Sequence, residues 1–244
     1  MTSSFQVEVY KFLHQKVPYY GLLALLLTMV YNAITSKIDA DTLSLGFGAV
    51  EWILIILIAV GSAFFAMEYS NQTILMLLYK NAGKLKIYLA KFLVIFIYGL
   101  LLTLVAILNT VLLKFLLAGD IHNKTWVTDL LFNMMGEVVY AVFIVGLSFM
   151  LIMLVRNNAV VICVGLALGF FGGPLATNLM KSFPSFVNLL KWNPLNMIFI
   201  SQQLTKASYM QISHLTNLQL VLGTLGYGLL FAVLGYWLFK KRRI

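Results

Sequence analysis

The chain has 244 residues, of which 61% are hydrophobic and 10% charged. Soluble domains carry about 25% charged residues, so charge is too scarce here to cover a water-facing surface, and a soluble globular fold is excluded. The 17 Lys and Arg against 8 Asp and Glu give a net charge of +9, but these basic residues sit between and after apolar runs, which points to membrane topology rather than to nucleic acid.

In chain order, Ser4 to Lys16 is too polar to span. Phe5, Val9, Phe12 and Leu13 recur at helical spacing, with Gln6, Lys11, His14 and Gln15 largely elsewhere, which predicts an amphipathic helix over residues 1–16 lying in the membrane interface against lipid. No cleavable leader is expected, because the first apolar run is followed by Asn32, Lys37 and Asp39. Each crossing needs roughly 20 apolar residues, and six spans fit, near 17–36, 47–67, 89–117, 129–155, 159–180 and 217–239. The expected fold is an all-α integral membrane protein, with residues 17–244 forming one six-helix transmembrane domain.

Basic residues orient the spans. Lys11, Lys16, Lys80, Lys84, Lys86, Lys91, Arg156, Lys240, Lys241, Arg242 and Arg243 fall on one side, against Lys37, Lys114, Lys124, Lys181, Lys191 and Lys206 on the other. The excess predicts a multi-pass protein with both termini cytoplasmic.

Three segments differ from plain turns, the simplest being the tail KKRRI, a positive stop on the last span. Glu68 to Lys91 is expected on the cytoplasmic side yet contains the apolar stretch Ile74 to Tyr79; Ser70 or Asn71 can cap a short helix there and Asn81-Ala82-Gly83 can end it. Such a helix suits docking to another protein, or equally a lipid-facing continuation of the second span. The outer connection, from about 170 to 216, opens with Gly172-Gly173-Pro174 interrupting the fifth span, carries Pro184 and Pro194, and stays greasy through Phe183, Phe186, Leu189, Leu190 and Trp192. This pattern predicts a re-entrant outer hairpin before the sixth span.

Catalytic patterns are missing. Phe149 stands where a serine-nucleophile turn needs glycine, and His14, His122 and His214 are not placed to pair with Ser148, which suits helix packing instead. No metal-binding pattern and no phosphate-binding loop occurs, so no metal or cofactor is expected in this chain and no ATP hydrolysis by it. Met134, Met135, Met150 and Met153 share one span and suit core packing. The polar groups inside spans are Glu51, Glu137 and, near the outer end of the third span, Lys114. At ~1.5 Å per residue the two acids lie about 6–12 Å from the outer boundary. They fit a shallow ion pair or snorkelling with Lys114, or a polar patch lining a substrate path.

This order resembles the ABC-2 type permease subunits of ATP-binding-cassette exporters: an interfacial helix, six spans, both ends inside, a cytoplasmic helix after span two and a proline-broken outer hairpin. The chain is most similar to the small permeases of bacteriocin and lantibiotic immunity and of amphipathic-peptide export, such as the phenol-soluble modulin exporters. The residues that carry the resemblance are Glu8-Val9-Tyr10-Lys11, then Glu68, Gln72-Thr73, Ile74 to Leu78, Lys80 to Lys84 and Lys91, and finally Asn193-Pro194-Leu195-Asn196. Gln72 departs from the usual Gly, and Asn81-Ala82-Gly83 from the usual turn.

The resemblance implies a coupling helix at Asn71 to Lys80 that docks on a separate ATPase, through Asn71, Thr73, Ile74, Leu77, Leu78 and Lys80 with Lys84 following, while Glu68 braces the junction with the interfacial helix. It further implies ATP and Mg in that partner, a second permease copy or sister permease, a bacterial cytoplasmic membrane, and an amphipathic or hydrophobic peptide as substrate. The other readings are an exporter of lipid, drug or Na+, and a membrane sensor or assembly protein without an ATPase.

Overall fold

Backbone amides and carbonyls in hydrocarbon must be satisfied within their own segment, which leaves long apolar runs no alternative to the helix. A computed structural model describes residues 2–70, 83–117 and 125–241, and is all-helical there. In chain order its helices are α1 (Thr2–Leu13), α2 (Val17–Thr35), α3 (Ala40–Ser44), α4 (Ala49–Ser70), α5 (Lys84–Leu117), α6 (Trp126–Val155) and α7 (Asn158–Ser182). Then come a 3-10 turn (Pro184–Phe186), α8 (Val187–Leu190), a second 3-10 segment (Pro194–Phe199), α9 (Ile200–Gln203), α10 (Ser208–Ser213) and α11 (Asn217–Lys241). Among the described residues six candidate spans are long and apolar enough to cross a membrane: α2, α3 with α4, α5, α6, α7 and α11. They fall where the hydropathy predicts. The spans alternate, so both termini share one end of the bundle (the terminal end), while 36–48 and 183–216 lie at the opposite end.

The centre of the bundle is α4 and α6, whose most apolar stretches are 72% and 61% buried, against 22% for both α7 and α11. Close backbone contact joins α6 to α11: a Cβ on Gly146 would lie 2.5 Å from the Gly228 carbonyl oxygen, so only small residues permit this approach. The hydroxyl of Ser148, fully buried, donates to the Ile58 carbonyl at 3.1 Å, the packing role expected of it. Met134 and Met153 are buried core residues, whereas Met135 is exposed.

Three details go beyond expectation. The second span, expected near 47–67, begins with a turn after α3. Gly46, Phe47 and Gly48 run through the left-handed region at φ 60°, 51° and 80°, a turn that separates α3 from α4. The Asn32 amide holds it by donating to the Phe47 carbonyl at 2.9 Å. Second, α5 starts at Lys84 rather than residue 89, and the Lys84 ammonium donates to the Lys240 carbonyl at 3.3 Å, joining the ends of α5 and α11. Third, Gly172-Gly173-Pro174 does not interrupt the fifth span, since α7 is continuous to Ser182 with Pro174 inside it. Glycine before proline removes the side chain that would clash with the ring. Thr177 Oγ1 donates to the Gly173 and Pro174 carbonyls at 3.1 and 2.9 Å, one turn after the proline.

The outer connection is a stack of short helices rather than a loop. Asn193 caps its second 3-10 segment, accepting from the Asn196 amide at 3.0 Å. Fully buried Asn196 donates to the Lys191 and Ser213 carbonyls at 2.7 and 2.8 Å. Lys206 to Asp41 at 2.8 Å and Thr205 Oγ1 to Asn133 Oδ1 at 2.8 Å tie this stack to the bundle, and Asn133 Nδ2 donates onward to the Ser44 carbonyl of α3 at 2.8 Å. Asn133→Ala strips partners from two elements at once and is expected to cost about 1–3 kcal/mol. Hydrogen exchange should read this as faster exchange at 40–46 and 200–206, and unchanged protection there would show that the bridge does not hold the cap.

Candidate functional site

The polar groups inside the bundle gather in two places. One is a cavity of about 480 Å³ at the opposite end, between the start of α4, α6, α7 and the short helices α9 and α10. Glu51 reaches it from the first turn of α4, where an acid also complements the helix dipole. Glu137 reaches it from α6 and is 2% exposed. The hydroxyl of Ser201, on α9, donates to Glu137 Oε1. Tyr140, Thr177, Asn178, Gln202 and Tyr209 complete the polar part of the wall, and Phe170 and Phe199 supply ring surface. Gly169 and Gly173 keep the α7 wall thin. No Lys or Arg lines the cavity among the described residues. A second, apolar cavity of about 230 Å³ shares Tyr140 and Ile198 with the first and continues between α6, α7 and α11 to Leu151 and Val164.

The other place is the junction of α1 with the bundle. Glu8 and Lys91 are each 1% exposed, and Lys91 Nζ lies 2.7 Å from Glu8 Oε2. Lys11 approaches the other oxygen at 3.4 Å. The Lys91 ammonium also sits 3.8 Å above the Phe64 ring, where the ring quadrupole favours a cation. Phe12 packs edge-on against Phe64 and Tyr98, both at 5.3 Å, and the Tyr98 hydroxyl donates to the Pro18 carbonyl at 2.7 Å. The apolar stripe of α1 therefore packs on α4 and α5, while Val7, Tyr10 and Leu13 stay exposed. Leu13, grouped with the stripe on spacing, points away from the core.

Of the residues singled out in the sequence, Glu51 and Glu137 come together at the cavity. Lys114 does not line it; half-buried on α5, its ammonium lies 5.3 Å from the neighbouring Phe115 ring. Among the described residues no basic group lies within ion-pair distance of Glu51 or Glu137, so the shallow ion pair with Lys114 does not form. Lys84 begins α5. Asn71, Thr73, Ile74, Leu77, Leu78 and Lys80 lie outside the described residues, as does the side chain of Glu68.

The pairing of Glu8 with Lys91 was not anticipated. Its signal was an acid at 8 on the same helix face as Phe5 and Phe12, and a lysine inside an apolar run at 91. Ser201, Gln202 and Tyr209 carried no comparable signal, because only folding of the outer stack brings them to α6.

Comparison with known families adds an independent finding. The family model described as ABC-2 family transporter protein matches residues 4–172, from α1 into α7, and leaves the outer stack and α11 beyond the match. No curated protein sequence matches the chain. With most of its length inside that match and six membrane-spanning helices, the chain belongs to the ABC-2 transporter family, as a multi-pass membrane permease component of an ABC transporter.

Proposed function

We propose that two such permease units, identical or sister chains, enclose an export path for an amphipathic or hydrophobic peptide in the bacterial cytoplasmic membrane. ATP and Mg2+ are held by a separate ATPase that docks at the terminal end, which faces the cytoplasm. The observation that carries the coupling part is the buried Glu8–Lys91 pair. It fastens α1 to α5 beside Phe64 of α4, so the two spans flanking residues 71–82 and the interfacial helix move as one block. A push on that segment then becomes a rigid tilt of spans, which a loosely attached helix would not transmit. The aromatic surface of the outer stack, with Phe183, Phe186 and Leu189 exposed, supports a greasy substrate, and the cavity at Glu51 and Glu137 supports a path at that end.

The test is reconstitution with the ATPase that co-purifies in mild detergent. Leu77→Pro and Lys80→Glu are expected to abolish substrate-stimulated ATP hydrolysis while leaving the thermal unfolding of the chain unchanged. Normal stimulation in Leu77→Pro would refute the coupling role of 71–80. A chain that purifies without any ATPase would refute the exporter reading.

A further inference from the structure

We propose that the two adjoining cavities form one site for an amphiphilic cation, with its ammonium or guanidinium group between Glu51 and Glu137 and its apolar portion along the smaller cavity toward Leu151. This deepens the peptide reading by naming the charge of the substrate, and rests on that reading only for the identity of the natural ligand.

Charge is the first argument. An ionisable group buried in a membrane bundle is costly without a counter-charge; buried Glu137 has none among the described residues, nor does the exposed Glu51 beside the same cavity. Ser201 occupies only Oε1 of Glu137, and no donor among the described residues reaches Oε2 of this nine-tenths-buried side chain. A cation entering the cavity supplies the missing partner and favours the ionised carboxylates, whereas an anion gains no such partner. Ring surface is the second argument. Tyr140, Phe170, Phe199 and Tyr209 border the same space, and aromatic faces attract organic cations once water is displaced.

Shape is the third. A volume of about 480 Å³ falls in the range of small-molecule sites and holds a head group or one or two residues rather than a folded peptide. The smaller cavity, lined by Phe143, Leu147, Leu151, Val164 and Leu168, carries no charged residue. Tyr140 and Ile198 belong to both walls and so stand between the cavities; once these two side chains turn aside, a molecule with a charged head and an apolar tail spans the pair in one orientation only.

The experiment uses the purified chain in phosphatidylcholine nanodiscs, without ATPase, so its outcome is independent of coupling or transport. Radiolabelled tetraphenylphosphonium is expected to bind saturably above empty discs, and Glu51→Gln and Glu137→Gln each to weaken binding at least tenfold. Dodecylammonium should compete, and dodecanol should not. Competition should strengthen from butyl- to dodecylammonium, and Leu168→Trp, which fills the apolar compartment, should flatten that series. Absence of saturable binding, wild-type affinity in the double Glu51→Gln/Glu137→Gln variant, or equal competition by dodecanol would overturn the site. An unflattened series in Leu168→Trp would remove the apolar compartment from it. Should Glu137→Gln lose its cooperative unfolding, Glu51→Gln, on an exposed side chain, carries the test alone.

Discussion

Lys91→Met is expected to destabilise the protein by about 3–5 kcal/mol, the range for removing one partner of a buried ion pair. Both side chains are almost wholly excluded from solvent, and Lys11, at 3.4 Å from Glu8, is a more distant and partly exposed substitute. The loss reflects the carboxylate left behind more than the attraction removed. The double variant Glu8→Gln/Lys91→Met therefore recovers at least half of it. Thermal unfolding in detergent measures both. An unfolding midpoint in Lys91→Met equal to that of the wild type would show that α1 is not seated by this pair, and would remove the support it gives to coupling.

Gly146→Ala is the second large effect. Its new methyl group meets backbone rather than a mobile side chain: the Gly228 carbonyl oxygen at 2.5 Å, with the Ala232 amide nitrogen at 3.2 Å. Neither can move without shifting a helix, so α6 and α11 must separate. Separation weakens the Phe143–Phe231 contact, whose ring centroids lie 5.3 Å apart, and disturbs the hydrogen bond from the Tyr88 hydroxyl to the Ala232 carbonyl at 2.9 Å. Overpacking of this kind costs about 1–3 kcal/mol or more. Gly226→Ala provides the control. Nothing lies within 4 Å of a Cβ there, so the same substitution on the same pair of helices is neutral or gains up to about 1 kcal/mol from helix propensity. Equal unfolding midpoints for the two alanine variants would contradict the close approach of α6 and α11.

The two sites respond to different experiments because they do different work. The α1 junction holds helices in register and is read by stability and coupling. The cavity has room and two carboxyl groups with no basic partner among the described residues, and is read by binding. Glu51 illustrates the distinction. As an acid in the first turn of α4 it complements the helix dipole wherever α4 ends, and that role alone predicts nothing about ligands. Its position on the same wall as Glu137 does.

Much of the architecture was written in the residue order. Val17–Thr35, Trp126–Val155 and Asn217–Lys241 lie within a few residues of the runs that hydropathy marks, because hydrocarbon leaves a long apolar segment only the helix. Local chemistry shaped the rest: three successive left-handed residues at 46–48 set a turn before α4, and two glycines before Pro174 let α7 pass through a proline that elsewhere ends a helix. The acids at 51 and 137 stood out because charge within a span is rare. That no basic group among the described residues pairs with them was not legible, since Lys114 sits at a similar depth and only helix rotation about its own axis decides which neighbour it meets.

By itself the sequence determined the number of spans, their places and their alternation, since each is fixed by one segment's solvation and length. Tertiary structure alone decided that Glu8 meets Lys91, that Ser201 meets Glu137, and that a cavity opens beside the two acids. Those outcomes depend on which faces of separate helices turn toward one another, and hydropathy along a chain carries no information about rotation between helices.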